Sequence, residues 1–160
     1  MAKMNRRIQM DNTESVYRAS LHLVRHFKDC LERDGKGFHS RVFNYFLHPE
    51  GDFVGAGQSQ EVINGEPVHP EHVVPCAVLI EESCRLLEKG VSETEIARLL
   101  SKHWKIAYIS KAQAAHIDSK EGLNLKNSMP DGWHFESGDT YERLKRAGIT
   151  LHPLDECKKP

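Results

Sequence analysis

The chain has almost no net charge. Its 160 residues carry 22 Lys and Arg against 23 Asp and Glu, a formal balance of -1. A global basic field that would gather nucleic acid is therefore excluded, and any such partner must be met by a local patch. Cysteine is also scarce. Cys30, Cys76, Cys84 and Cys157 are the only four, and no two stand in C-x-x-C spacing, which excludes a zinc ribbon and a thioredoxin-type motif. No run approaches the 18 or so apolar residues of a membrane-spanning helix. The opening stretch, Met1 to Met10, is polar and basic without an apolar core, so a secretory signal is not expected. Free thiols in a reducing cytoplasm follow as the expectation. Internal repeats and low-complexity tracts are missing as well.

What is present suits a folded domain. Hydrophobic residues make up 39% and charged residues 28%, too apolar for overall disorder. The length fits a single domain over 1–160, able to bury a core without disulfides, with flexible ends at 1–11 and 152–160. Ten histidines are a heavy load of a residue that titrates near neutrality and ligates metals.

Periodicity predicts mainly helices. Val16, Ala19, Leu23, Phe27, Cys30 and Leu31 recur at helical spacing from about Thr13, and Gly35 ends the run. His22 and His26 lie on one side of that helix, where two histidines can share a metal if a third ligand arrives. Phe38 to Phe46 alternates loosely, which leans towards a strand. The stretch from His48 to Pro75 is rich in Gly and Pro. It predicts short strands near Asp52–Val54 and Gln60–Ile63, with a hairpin turn at Asn64-Gly65. Helices are expected over Ala77–Lys89, from the capping-box pair Ser92 and Glu95 to about His103, from Ser110 and Gln113 to about Ile117, and from Asp139 and Glu142 to Gly148. Lys105–Ile109 reads as a strand and 119–138 as a long loop. The fold class expected is α+β, a small antiparallel sheet or hairpin flanked by four or five helices.

One string carries chemistry: His69-Pro70-Glu71-His72-Val73-Val74-Pro75-Cys76. Glu71, His72, Val73, Val74 and Pro75 resemble the start of the HNH, or His-Me finger, nuclease motif, in which an acidic residue or His precedes a catalytic His on a strand leading into a loop and helix. The resemblance implies a metal-dependent endonuclease acting on DNA or RNA. His72 would be the general base that activates water. Glu71 would be a ligand of a divalent ion (Mg2+, Mn2+ or Zn2+), with His69 or His103 as further ligands. Alternation sends Glu71 and His72 to opposite faces of an ideal strand, so convergence requires a strand end or a bulge. The family also supplies an Asn and then a His on the following helix. Here the helix after Cys76 has neither, no Asn occurs between Asn64 and Asn124, and His103 is the first downstream His. Lys102, Lys105 and Lys111, with Trp104 and Tyr108, mix basic and aromatic side chains that can line a nucleic-acid groove.

A second reading belongs to a different class. His69, His72 and Cys76 have H-x-x-H-x-x-x-C spacing, which suits a structural zinc site completed by His48, His39 or Cys84. In the loop Met129 to Trp133 the Trp133 ring either clamps the loop on the body or forms an anchoring surface for a protein partner. Together they describe a non-enzymatic binding or inhibitory protein. The bland alternative is a hydrogen-bonded His72 and a buried Cys76 acting as a small hydrophobe. Gly55-Ala56-Gly57-Gln58-Ser59 lacks the Walker lysine pattern and reads as a turn. Ser92 to Leu100 resembles the first helix of a helix-turn-helix, but a strand follows it, which favours ordinary packing.

Overall fold

The computed structural model describes residues 2–154, with side chains from Asn12 onwards. The protein is α+β, as the sequence leads one to expect. Among the described residues it has eight helices and one three-stranded sheet. The chain divides into two compact units. One comprises the residues up to Val54 together with Ile80–Lys102, and the other comprises Gly55–Leu79 together with the residues from His103 on.

In the first unit, α1 spans Ala2–Arg33, longer than the helix expected from Thr13. Its stripe of Val16, Ala19, Leu23, Phe27 and Cys30 is buried as periodicity requires, and Gly35 closes it at positive φ, with its N–H on the Cys30 carbonyl. The strand expected at Phe38–Phe46 is instead a short helix, α2 (Val42–Phe46), because Phe43 and Leu47, four apart, are the buried pair. Gly51–Val54 is likewise helical, as α3, rather than a strand. The second half of this unit comes from α5 (Cys76–Glu88), which the chain enters from the other unit, and α6 (Glu93–His103). Glu95 N–H donates to Ser92 Oγ at 3.3 Å, the backbone half of the expected capping box.

The second unit holds the sheet, ordered β1-β3-β2 and mixed in direction. Strand β1 (Gly55–Gln58) runs parallel to β3 (Ile106–Ser110), with an irregularity between Gly55 and Gly57. Strand β2 (Val68–His72) runs antiparallel to β3 in unbroken register, from Val68 opposite Ser110 to His72 opposite Ile106. The strand expected at Gln60–Ile63 is a one-turn helix, α4, and the Asn64-Gly65 hairpin does not form. Ser59 caps that turn by accepting from Val62 N–H, and Asn64 ends it in helical conformation. A Ser ahead of a short apolar-polar mix is a helix start, and it outweighed the turn signal behind it.

Helix α7 (Lys111–Asp118) leaves β3 through Ser110, whose hydroxyl accepts from Gln113 N–H while the Gln113 side chain accepts from Ser110 N–H. Both halves of the predicted capping box are therefore present. Helix α7 packs on β2 and β3. Its Ala114 and Ile117 join Val73, Ala107, Ile109, Leu144 and Ile149 in one buried cluster, to which α8 (Glu142–Arg146) contributes Leu144. His152, expected in a frayed tail, pairs with Gln58 at the free edge of β1. Residues 155–160, including Cys157, lie outside the described residues.

Candidate functional site

Strand β2 ends at His72 and carries three of the expected site residues, His69, Glu71 and His72. The register with β3 is regular through His72, so no bulge brings Glu71 and His72 to one face. Glu71 lies opposite Ala107, on the face that carries the α7 cluster. His72 lies opposite Ile106 and leaves on the other face. Beyond His72 the chain bends, and Val73 and Val74, both fully buried, anchor it.

Glu71 is 9% exposed and has two partners. Its Oε1 accepts from Arg143 Nη2 at 2.6 Å, and its Oε2 lies 3.0 Å from His69 Nε2. Arg143 is the largest surprise of the unit. It is fully buried, comes from α8, and lies 72 positions along the chain from Glu71. Besides Glu71 it donates to the carbonyl of His72, to that of Val73 at 3.3 Å and to that of Leu125 at 2.8 Å. The fork of the guanidinium suits such a cage of oxygens, and a buried arginine persists only where its donors are met. This pair clamps the backbone immediately after the candidate general base. Nothing in the sequence marked it: Arg143 sits in a run, Glu142 to Arg146, in which every residue but Leu144 is charged.

His103 is fully buried and both ring nitrogens are engaged, Nδ1 with Thr140 Oγ1 at 2.9 Å and Nε2 with the Phe135 carbonyl at 2.7 Å. It packs at 5.1 Å from the rings of both Trp133 and Phe135. In this arrangement it fastens the 133–140 loop. His69 is the more accessible of the expected ligands, with 44% of its side chain exposed.

Among the described residues no three His, Cys, Asp or Glu side chains converge to form a metal cage. His26 Nε2 lies 3.7 Å from Cys30 Sγ, and His22 stacks on Phe46, so the two histidines of α1 are engaged separately. Of the expected zinc set, Cys76 is buried at the start of α5, His48 Nδ1 pairs with Asn44 Oδ1 and His39 Nδ1 accepts from Arg41 N–H. Cys84 has its thiol pushed up to about 11, first by burial, then by Glu88 and Cys30. Of the expected ligands only Glu71 and His69 meet, Oε2 and Nε2 pairing with each other at 3.0 Å. Mg2+ characteristically keeps several waters and takes one or two protein groups plus substrate phosphates.

The three lysines separate. Lys111 opens α7 and donates its N–H to the Pro67 carbonyl, at the far end of the β2–β3 ladder from His72. Five residue steps lie between, about 17 Å. Lys102 is exposed near the end of α6. Lys105 alone stands at the His72 end, its carbonyl accepting from Val73 N–H at 2.9 Å.

A second feature is the loop 130–142. Pro130, Gly132, Trp133, Gly138 and their neighbours line an open cleft of about 250 Å³ that also meets Asp131, Asp139 and Glu142. Trp133 Nε1 donates to the Asp139 carbonyl at 2.9 Å. A Cβ on Gly138 would lie 2.4 Å from Trp133 Nε1, so only glycine admits this closure. Lys145 pairs with the Asp139 carboxylate and Arg146 with Glu142.

Compared with protein-family models, curated proteins and solved structures, the chain matches none. The geometry of the site therefore carries the functional argument.

Proposed function

We propose that this protein is a metal-dependent endonuclease of His-Me finger type that hydrolyses phosphodiester bonds in DNA or RNA. One observation supports the reading. His72 ends β2, the chain then passes through the bend from Val73 to Pro75 into α5, and β2 pairs antiparallel with β3. This is the order of strand, loop and helix that the resemblance of Glu71–Pro75 implies, while α5 carries neither the Asn nor the His that the family supplies there.

In this reading the imidazole of His72 takes a proton from the attacking water. The Arg143 clamp holds the His72 carbonyl and so fixes the backbone from which the ring projects. Glu71 and His69 are the residues that would hold a divalent ion shared with the substrate phosphate. When bound, such an ion neutralises charge developing on the phosphate and the leaving oxygen. His103 serves the fold of the 133–140 loop rather than the ion. Because Glu71 and His72 leave β2 on opposite faces, the scissile phosphate is addressed beyond the strand end, where the chain bends at Val73. The setting expected for such an enzyme is the cytoplasm. No helix among the described residues is long and apolar enough to cross a membrane.

The test is cleavage of supercoiled plasmid and of single-stranded RNA with Mg2+, Mn2+ or Zn2+ and with EDTA. We expect metal-dependent cutting that falls by at least about 100-fold in a folded His72→Ala variant. Absence of cutting by the wild type under every metal would overturn the reading.

The cleft in the 130–142 loop supports a second reading, a non-enzymatic binding or inhibitory protein that engages a protein partner through Met129–Trp133. A zinc ion that co-purifies stoichiometrically and whose removal unfolds the chain would favour it.

A further inference from the structure

A chain of three polar side chains runs outwards from the core. The side chains of Arg143, Glu71 and His69 are 0%, 11% and 44% exposed in that order. Arg143 Nη2 donates to Glu71 Oε1 at 2.6 Å, and Glu71 Oε2 lies 3.0 Å from His69 Nε2. His69 and Glu71 stand two apart on β2, so alternation puts both on one face. Each oxygen of Glu71 therefore meets a different neighbour, one on its buried side and one on its open side.

The chemistry of these groups places a proton. A guanidinium only donates, and the carboxylate paired with it only accepts. The His69 nitrogen that faces Glu71 must then be the one that carries hydrogen. In the neutral ring the free lone pair falls on Nδ1, and no group among the described residues engages that atom. Metal-bound histidines show the same arrangement. Their second ring nitrogen donates to a carboxylate, which sets the tautomer and raises the basicity of the ligating nitrogen.

We infer that His69 meets a divalent ion through Nδ1, and that Glu71 is a positioning residue acting through His69 rather than a ligand. An imidazole nitrogen suits Zn2+, whereas Mg2+ seeks oxygen, so the ion is of the zinc type. The inference rests on the nuclease reading for the presence of an ion, and it divides the work between the two residues assigned to it there. It asks nothing of His72, which leaves β2 on the other face. No cage of three ligands forms among the described residues, so the ion is exchangeable, with water completing its shell.

The test is the long-range 1H–15N NMR spectrum of the histidine rings, recorded without nucleic acid at pH 8, above the ordinary imidazole range. His69→Gln identifies the His69 signals by their loss. In the wild type His69 should be the Nε2–H tautomer. Zn2+ alone should shift its Nδ1 resonance and leave Nε2 protonated, and Mg2+ at the same concentration should leave both in place. Glu71→Gln should reverse the tautomer. Arg143 claims the amide oxygen, the amide NH2 then faces His69 Nε2, and that nitrogen must accept. With the proton moved to Nδ1, the Zn2+ affinity read at His69 should fall about 10- to 100-fold, the usual effect of losing the group behind a metal-bound histidine. A purely structural Glu71 would change stability and leave the tautomer alone.

Hydrogen on Nδ1 of wild-type His69, a Zn2+ titration that leaves the His69 signals in place, an equal response to Mg2+, or a Glu71→Gln variant with tautomer and affinity unchanged would each overturn the inference. Should Glu71→Gln fail to fold, the wild-type spectra decide alone. A protein that shows the tautomer and the Zn2+ contact yet cuts no nucleic acid keeps this inference and loses hydrolysis. One that cuts with Mg2+ while Zn2+ leaves His69 untouched does the reverse.

Discussion

Removing Arg143 should be among the most damaging single changes in this chain. In Arg143→Met the carboxylate of Glu71, 9% exposed, loses its charged partner, and the carbonyls of His72, Val73 and Leu125 each lose a donor. Breaking a buried ion pair by deleting one partner costs about 3–5 kcal/mol. Orphaned buried acceptors carry penalties of about 1–3 kcal/mol each, which overlap with that figure because the same desolvation is counted in both. The expected loss is therefore about 3–5 kcal/mol, against a total stability of about 5–15 kcal/mol for a typical domain. Urea unfolding is the assay, followed by circular dichroism and by tryptophan fluorescence. Trp104 and Trp133 both belong to the sheet-bearing unit, so fluorescence isolates the unit that holds Arg143. With a urea slope of about 1–3 kcal/mol/M, the fluorescence midpoint should fall by about 1 M or more. Arg143→Lys should recover only part of the loss, since an ammonium cannot span four oxygens in the plane of a fork. A midpoint within error of wild type for Arg143→Met would refute the clamp, and with it the account of how the His72 backbone is held.

Further outcomes follow from other contacts. Ser110→Ala removes the hydroxyl half of the α7 capping box and should cost about 1 kcal/mol, read as a lower urea midpoint. Gly138→Ala places a Cβ against Trp133 Nε1 and the His134 carbonyl; the loop must open, shifting Trp133 emission to the red with little change in circular dichroism. Cys84, with its thiol pushed up to about 11, should react slowly with iodoacetamide at pH 8, and its rate should keep rising with pH beyond the point where an ordinary thiol has levelled off. The Glu93 carboxyl is held below its usual range by Arg25 and Lys28. Its folded value is the depressed one, so the contribution is complete above the unfolded carboxylate range and is lost as pH falls through the folded value. Glu93→Gln should lower the melting temperature slightly near neutral pH and leave it little changed in acid, where the wild-type carboxyl is protonated, so that the acid limb of the profile flattens.

The sequence was most readable where side-chain chemistry acts locally. The α1 stripe, the Ser110–Gln113 capping box and the Gly35 and Gly148 stops, both at positive φ, all depend on neighbours within a few residues. The misreadings came from short segments. Phe38–Phe46 and Gln60–Ile63 hold too few residues for a period of 2 to be told from one of 3.6, and a single cap or one buried pair decided each. For the site, the strand under His72 followed from the family resemblance alone, and the partners were not legible. Glu71 meets Arg143, and His103 meets Thr140 and Phe135, across separations of 72, 37 and 32 residues. A single sequence carries no trace of pairings at that range.

The bridge at His152 has a consequence for the chain in solution. The sheet has two outer strands, and an outer strand with unpaired backbone groups is a template for another molecule. On β2 that edge is blunted by Pro70, which has no N–H to offer and occupies a position whose amide would point away from β3. On β1, which is built of Gly, Ala, Gly and Gln, the side chains offer no such protection. There Gln58 and His152 exchange two backbone hydrogen bonds, of 2.9 and 2.7 Å, and Gly57 allows the approach because a Cβ would lie 2.7 Å from the His152 carbonyl. A chain shortened to end at Thr150 would keep every helix described above, and Ile149 in its cluster, and still expose that edge. Its first symptom should be self-association with rising concentration, before any loss of helix content.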